Sequence, residues 1–260
     1  MILLIKGMKM ELNLKNKVAL VTGGAKNIGK EICLSLASEK TNIAFTYNSS
    51  EKSAKETENE INKLGVKAKA YKVDISNFEA LKKTIDLINK DFEHIDILIN
   101  NAGYTKIQRF VDTNINDWNK QIDISLKGAL YCCYLVSKNM IKKNNGRIIN
   151  LVGDSSRIGE ANLSITAAAR GGTIALGKSL AKEFGRYNIT VNTISLGLVK
   201  TSHSDNEFLV KNLDKILKSY PIKRLGETSD VAPMVSFLCS KNANWITGQV
   251  FSINGGFCMV

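Results

Sequence analysis

A glycine-rich turn at residues 22–29, Thr-Gly-Gly-Ala-Lys-Asn-Ile-Gly, follows the apolar run 18–21 and precedes a stretch rich in Ile, Leu and Ala. A short, continuous apolar run is typical of a buried parallel strand, and the stretch after the turn predicts a helix ending near Ser38. Glycines let a backbone turn sharply and approach a phosphate at the N-terminus of a helix. The turn therefore predicts a dinucleotide site between a strand and a helix, with an ordinary strand-to-helix connection as the alternative.

The sequence after this helix gives the turn its context. Residues 41–47 predict a second strand, which completes a strand-helix-strand unit. NAD-specific sites place an Asp or Glu about 20 residues past the turn, where it binds the ribose 2′-hydroxyl. Residues 47–50 are Tyr-Asn-Ser-Ser, so no carboxylate there would repel a 2′-phosphate. With Asn48 at this position and Lys26 as a phosphate partner, we expect NADP(H) to be favoured over NAD(H), unless Lys26 is simply a solvated loop residue.

Composition limits the classes of protein. The 260 residues are 44% hydrophobic, enough to bury the core of one α/β domain. The net charge of +12 could indicate an acidic partner, but no basic segment alternates with aromatic residues, so a solvated basic surface is favoured and no nucleic-acid partner is expected. The apolar core at 2–5 is too short for a signal peptide or a membrane span, so no membrane partner is expected. Met8 or Met10 could equally be the start.

Cysteines and histidines give little support to metal or disulfide chemistry. The five cysteines are odd in number and lack the paired short spacings of a zinc site or a disulfide framework. They fit core thiols in a reducing cytoplasm, which is the compartment we expect. The two histidines, His94 and His203, are far apart in the sequence, and no metal site is expected.

Two later strands are each followed by a polar motif. Residues 67–73 predict a third strand that ends at Asp74-Ile75, and residues 94–99 predict a fourth that ends at the Asn-Asn-Ala-Gly of 100–103. An acidic side chain at the carboxyl end of a strand lies where ligands bind in parallel sheets. The alternative for Asp74 is that it caps the N-terminus of the next helix.

Taken together, these motifs resemble those of the short-chain dehydrogenase/reductase family. The glycine turn, the Asp-Ile and the Asn-Asn-Ala-Gly stand at the family's separations, and the resemblance covers essentially the whole chain. The stretches 146–150, 189–192, 246–248 and 254–260 are most similar to the 3-oxoacyl-acyl-carrier-protein reductase group.

The resemblance implies a single doubly wound parallel sheet, a Rossmann fold of the short-chain dehydrogenase type, over residues 1–260. An N-terminal extension of about 1–14 and a helical substrate lid of about 200–222 would belong to it, and the family usually assembles as a tetramer. Asp74 would meet the adenine, Asn100 the ribose side, and Thr201 the carboxamide. The residues expected to contact the dinucleotide are Gly23, Lys26, Asn27, Ile28, Gly29, Asn48, Asp74, Ile75, Asn100, Ala102, Gly103, Arg170 and Thr201.

The same resemblance indicates that the catalytic residues are replaced. The family uses an Asn, a Ser, a Tyr and a Lys, and the corresponding residues here are Ser125, Gly153, Thr166 and Arg170. Hydride reduction of a carbonyl needs a proton donor, and the hydroxyl of Thr166 is a far weaker acid than a tyrosine beside an ammonium. Gly153 lacks a hydroxyl donor, and losing one such donor typically costs about 10²- to 10³-fold in rate. Asn27 also replaces one glycine of the turn.

A second Tyr-x-x-x-Lys occurs at Tyr134 and Lys138, on a helix predicted over 117–143. This spacing puts both side chains on one helical face. The pair precedes the predicted fifth strand, 147–152, whereas the family's catalytic pair follows it. We therefore interpret Tyr134 and Lys138 as packing and interface residues.

Three functional hypotheses follow. The first is a catalytically degenerate family member with an NADP(H)-type site, kept for binding, regulation or assembly, as a homotetramer or as a hetero-oligomer with an active relative. The second is an active NADP(H)-dependent oxidoreductase that acts on a carbonyl or hydroxyl substrate, such as a 3-oxoacyl thioester or a hydroxysteroid-like alcohol, through other residues. The third is a structural protein in which cofactor binding is weak or absent.

Overall fold

The computed structural model describes residues 10–202 and 207–260, with the backbone alone described for 207–210. The strands in this part of the chain are β1 (Val18–Val21), β2 (Asn42–Tyr47), β3 (Ala68–Lys72), β4 (Ile97–Asn100), β5 (Gly146–Gly153), β6 (Ile189–Leu196) and β7 (Val250–Ile253). The helices are α1 (Asn27–Ser38), α2 (Glu51–Asn62), α3 (Phe78–Phe92), α4 (Ile115–Ile122), α5 (Gly128–Lys143), α6 (Ser155–Ile158), α7 (Ser164–Phe184), α8 (Glu207–Leu217) and α9 (Thr228–Cys239).

All strand pairs within the described residues are parallel, in the order β3-β2-β1-β4-β5-β6-β7. The strand order reverses between β1 and β4, which confirms the predicted doubly wound sheet. Every residue of β1 and β4 is buried, because helices cover both faces of the sheet. The continuous apolar runs of the sequence are therefore the central strands. In such sheets, ligands bind at the carboxyl ends of the strands beside the reversal.

The hydrophobic core forms two layers, one on each face of the sheet. Alternate residues of a strand point to opposite faces. Ala19 and Val21 pack with residues of α1 in one cluster, whereas Val18 and Leu20 pack with residues of α3 in the other. The side chains of β1 thus anchor helices on both sides, which fixes the turn between β1 and α1.

The helix predicted over 117–143 differs from the one observed. It begins earlier, at Ile115, because the side chain of Asn114 accepts a hydrogen bond from the amide of Asp117 and caps the helix. Between α4 and α5 the backbone widens into one π-helical turn, Asp123–Lys127. Such turns occur within α-helices, often at functional sites. Ser125 lies in this turn.

The two segments expected to flank the sheet are described only in part. Residues 1–9 of the predicted extension lie outside the described residues, but Leu14 is buried in the core and its carbonyl accepts a hydrogen bond from Thr41. The core therefore starts inside the expected extension. Residues 203–206 of the predicted lid also lie outside the described residues, and α8 occupies the part that follows. No helix in the described part of the chain has the length and apolar character needed to cross a membrane.

Candidate functional site

A cavity of about 560 Å³ lies at the carboxyl ends of β1, β2, β3 and β4, beside the reversal of strand order. Of the residues that the sequence analysis assigned to the dinucleotide, all but Asn100 line it. These are Gly23, Lys26, Asn27, Ile28, Gly29, Asn48, Asp74, Ile75, Ala102, Gly103, Arg170 and Thr201. The structure thus brings together residues that are spread over positions 23–201 of the sequence. Their contacts with a dinucleotide remain a prediction.

The glycine turn is held against the end of β4. Gly23 has a φ of +66°, a conformation that glycine adopts without strain. A Cβ on Gly29 would collide with the carbonyl oxygen of Gly23 and would lie 2.6 Å from the side-chain nitrogen of Asn101. That same nitrogen donates hydrogen bonds to the carbonyl oxygens of Thr22, at 2.9 Å, and Gly23, at 3.2 Å. Only a residue without a side chain fits at Gly29.

The N-terminus of α1 points at this cavity with its amides free of side-chain caps. Lys26 occupies the N-cap position but makes no side-chain capping bond, and the first turn holds no acidic residue. Uncapped amides and the helix dipole favour an anion at this position. The site therefore fits the pyrophosphate of a dinucleotide.

Asn27 takes over the conformation that a glycine would have in this turn. Its φ is +52°, in the left-handed region that Asn tolerates better than most residues. Its side chain exchanges two hydrogen bonds with Ser202, each of 3.1 Å. The substitution therefore keeps the turn and also links it to the segment that follows β6.

Charge in the cavity favours phosphate groups. Lys26, Lys120 and Arg170 line it, and among the lining residues Asp74 is the one carboxylate. An Asp74 oxygen accepts hydrogen bonds from the Ser76 amide, at 2.9 Å, and hydroxyl, at 2.6 Å. Asp74 does not cap α3, because that position belongs to Asn77.

Asn100 is the one assigned residue that does not line the cavity. Its side chain is buried beneath the cavity, where the amide nitrogen donates to Asn150 Oδ1 at 2.9 Å and contacts the sulfur of Cys133. It does not line the cavity, whereas the next residue, Asn101, does. The consecutive asparagines direct their side chains to different surroundings at the end of β4. The sequence motif alone could not tell which of them lines the cavity.

Arg170 is the catalytic-position residue whose side chain reaches the cavity. Its guanidinium lies between two glycines: a Cβ on Gly103 would be 2.7 Å from Nη2, and a Cβ on Gly153 would be 3.3 Å from Nη1. Gly153 therefore leaves room for the Arg170 side chain. Burial lowers the pKa of the Arg170 guanidinium below its usual range, because removal from water penalises the charged form.

Thr166 and Ser125, at two other predicted catalytic positions, form hydrogen bonds with neighbouring residues and do not line the cavity. The Thr166 hydroxyl is buried and donates a 2.5 Å hydrogen bond to Gln121 Oε1. The Ser125 hydroxyl donates to the Tyr104 carbonyl and accepts from the Tyr104 amide, both at 3.3 Å. Neither hydroxyl is placed to donate a proton to a ligand in the cavity.

Among the cavity-lining residues that were not assigned to the ligand from the sequence, Tyr104 and Lys120 stand out for their chemistry. Tyr104 directly follows the Asn-Asn-Ala-Gly motif, and Lys120 on α4 places its ammonium 4.3 Å from the centre of the Tyr104 ring. The position of Tyr104 after the motif was the available signal. Tyr134 and Lys138, by contrast, do not line the cavity; Tyr134 is exposed on α5 with the Lys138 ammonium 4.1 Å from its ring centre.

The described part of the chain contains neither a candidate metal site nor an accessible thiol. Within those residues, no cluster of His, Cys, Asp and Glu side chains could hold a metal ion. The five cysteines are free thiols and all are buried. Burial raises the pKa of Cys133 to about 12 and that of Cys239 to about 12, so both thiols are protonated and unreactive at neutral pH.

Comparisons with known proteins agree with this geometry. Residues 23–258 match the family described as enoyl-(acyl carrier protein) reductase. The chain is 35% identical over 244 residues to the 3-oxoacyl-[acyl-carrier-protein] reductase of Staphylococcus epidermidis, covering 94% of this chain and 100% of that relative. It is 36% identical over 253 residues to the reductase of the same name from Aquifex aeolicus, covering 95% of this chain and 99% of that relative. A solved structure assigned as a short-chain alcohol dehydrogenase from Sinorhizobium meliloti has a TM-score of 0.91 at 30% sequence identity. The match covers 95% of this chain and 98% of that chain.

The doubly wound sheet and the cavity at its reversal define a protein of the dinucleotide-binding class. More narrowly, the chain belongs to the short-chain dehydrogenase/reductase family of oxidoreductases, and it is similar to 3-oxoacyl-[acyl-carrier-protein] reductases.

Proposed function

We propose that this protein binds NADP(H) but has lost the family's catalytic tetrad, so that it serves a binding, regulatory or assembly role instead of ordinary carbonyl reduction. The observation that carries this proposal is the placement of the four substituted positions. The Arg170 guanidinium lines the cavity from the position where the family has an ammonium, and the Thr166 hydroxyl is hydrogen-bonded to Gln121. We propose the cytoplasm as its compartment.

The chemistry explains why this arrangement is unsuited to reduction. Bound NADPH would supply a hydride, and the reduced carbonyl oxygen would then need a proton. A tyrosine can donate that proton when a neighbouring ammonium lowers its pKa. An arginine stays charged throughout the physiological range and is a poor acid, so Arg170 can orient a ligand but not protonate it.

The cofactor side, in contrast, keeps what binding requires. The uncapped amides of α1 would hold the pyrophosphate, and Lys26 and Asn48 would lie near a 2′-phosphate. No carboxylate is present at the end of β2 to select the 2′-hydroxyl of NAD. NADP(H) is therefore the proposed cofactor.

A second candidate is an active oxidoreductase that uses Tyr104 as the proton donor. Tyr104 and Lys120 both line the cavity and bring a phenol and an ammonium together, 4.3 Å apart from ring centre to nitrogen. The relatives named as 3-oxoacyl-[acyl-carrier-protein] reductases make a 3-oxoacyl thioester the first substrate to test.

Titration with NADPH and NADH, followed by nicotinamide fluorescence, tests the proposal. We expect saturable binding of NADPH, at least tenfold tighter than NADH. Asn48→Asp places a carboxylate at the end of β2 and is expected to reverse that preference. Asn59→Asp adds the same charge on an exposed part of α2 and serves as the matched control. Failure of NADPH to bind would overturn the proposal and favour a purely structural protein.

Activity separates the two candidate functions. With NADPH and acetoacetyl-coenzyme A, a degenerate protein should oxidise NADPH no faster than the buffer. Turnover that disappears in Tyr104→Phe or Arg170→Ala would overturn the proposal in favour of the active oxidoreductase.

A further inference from the structure

We propose that the Arg170 guanidinium is the receptor for the carboxylate of a second ligand, a small organic acid that binds beside the dinucleotide. This inference rests on the proposed function, because it assigns a ligand class to the reacting end of the same cavity. It differs from the family's neutral carbonyl chemistry, in which hydroxyl groups contact the substrate oxygen.

The first observation is that the Arg170 guanidinium has no acceptor. Within the described residues it makes no hydrogen bond or ion pair, and the half-buried side chain keeps its nitrogens accessible at the cavity. Arg147, which is buried, donates to the carbonyl oxygens of Gly146 and Asn188 and to the side-chain oxygen of Asn244. A buried cation requires such partners. Arg147 takes its partners from the fold, although its Nε has none, whereas the fork of Arg170 faces the cavity and is available to a ligand.

The second observation is that the surroundings leave the fork of Arg170 open. Its two terminal nitrogens lie next to Gly103 and Gly153, which carry no side chain of their own, and Arg170 lines the cavity. A guanidinium presents parallel N–H groups that match the two oxygens of a carboxylate. The geometry is therefore that of a bidentate carboxylate receptor.

The phosphates of the dinucleotide cannot fill this role if they bind at the glycine turn. That turn follows β1, whereas Gly153 ends β5, which is two strands away in the sheet. Two strand spacings are about 10 Å, beyond hydrogen-bond reach. A ribose hydroxyl could accept a hydrogen bond from Arg170, but it would leave the charge uncompensated.

Calorimetric titration of the NADPH-saturated protein tests this proposal. Acetoacetate is the probe, and its methyl ester is the uncharged control of nearly the same shape. We expect acetoacetate to bind at least tenfold more tightly than the ester, and Arg170→Gln, titrated at an NADPH concentration that saturates the variant, to abolish that difference. Arg186→Gln removes a charge outside the cavity and should change neither Kd.

A measurement without ligand tests the same idea through folding. If the Arg170 charge is uncompensated, Arg170→Gln should raise the melting temperature of the free protein, while a merely structural arginine would lower it. Arg170→Lys keeps the charge but not the fork, and should retain less than a tenth of the acetoacetate affinity.

Several outcomes would overturn the inference. These are equal binding of the acid and the ester, acetoacetate binding that survives in Arg170→Gln, and inorganic phosphate that displaces acetoacetate at lower concentration than acetate does. The two proposals fail separately. NADPH binding without acetoacetate binding refutes the receptor alone, whereas acetoacetate binding to a protein that does not bind NADPH refutes the cofactor site alone.

Discussion

At the scale of single residues, the residues predicted to replace the catalytic tetrad are each accommodated by their neighbours. Arg170 occupies space that exists because positions 103 and 153 are glycines, and Thr166 is tied to Gln121 on α4. A serine at Gly153 would bring its Cβ to 3.3 Å from the guanidinium, so the end of the Arg170 side chain would have to shift by a few tenths of an ångström to accommodate it. The positions of Gly153 and Arg170 are therefore coupled through direct contact.

Thr166→Val tests whether the Thr166 hydroxyl is structural. The substitution keeps the volume but removes the hydrogen bond to Gln121, and a buried hydrogen bond contributes about 1 kcal/mol to stability. We expect the free energy of unfolding, measured with urea, to fall by about that amount. The Kd for NADPH should stay the same, because Thr166 does not line the cavity. A weakened affinity for NADPH at unchanged stability would contradict this placement.

Local sequence patterns predicted the fold well because each pattern reflects the structure of the segment in which it occurs. The apolar run before the glycine turn is buried on both faces, and Asp74, Asn48 and Lys26 reach one cavity because parallel strands end at the same edge. The direction of a single side chain has no such signature. Asn100 was assigned to the ligand and points into the core, and the open fork of Arg170 depends on glycines distant in sequence.

At the scale of elements, the start of α9 is held by Asp230. Its carboxylate accepts hydrogen bonds from Arg224 at 2.6 and 2.9 Å and from the amide of Glu227 at 2.7 Å, as half of a capping box. The hydrogen bonds from Arg224 and the Glu227 amide lower the pKa of Asp230 to about 2. Because α9 packs against α1, this cap supports the helix that begins at the glycine turn.

The Asp230 cap predicts a defined pH dependence. Its pKa in the folded protein lies below the unfolded value of about 3.9, so its contribution is complete above that pH and is lost as the pH falls towards 2. Asp230→Asn should lower the free energy of unfolding at pH 7 by about 1 kcal/mol, the usual value of a helix cap. That difference should shrink between about pH 4 and 2.

Urea unfolding at pH 7, 4 and 3 measures this effect. Asp112→Asn is the matched control, since Asp112 also pairs with an arginine, Arg109, but both side chains are exposed. Exposed pairs contribute little, so the control should change stability by less than about 0.5 kcal/mol. An Asp230→Asn deficit that stays constant with pH would show that the side chain acts through packing and not through its charge.

At the scale of the whole molecule, α5 presents a surface that the fold does not cover. Leu130 and Tyr134 are four residues apart, on one face of the helix, and are exposed by 39% and 55%. Lys138 continues the same face and lies over the Tyr134 ring. Apolar side chains grouped on one helical face are typical of an interaction surface, and we propose that α5 joins copies of this chain in a homotetramer.

Leu130→Glu tests this assembly. A charge in the centre of an apolar helix interface has no partner when the helices meet, so the variant should dissociate while each chain stays folded, because Leu130 contributes little to its own core. Light scattering after size-exclusion chromatography should give the mass of four 28.6 kDa chains for the unaltered protein and a smaller species for the variant. Leu64→Glu is the matched control, since Leu64 is exposed by 37% but lies beyond the end of α2. A single-chain mass for the unaltered protein, or an equal loss of assembly in both variants, would show that the exposed face of α5 is not the surface through which this protein assembles.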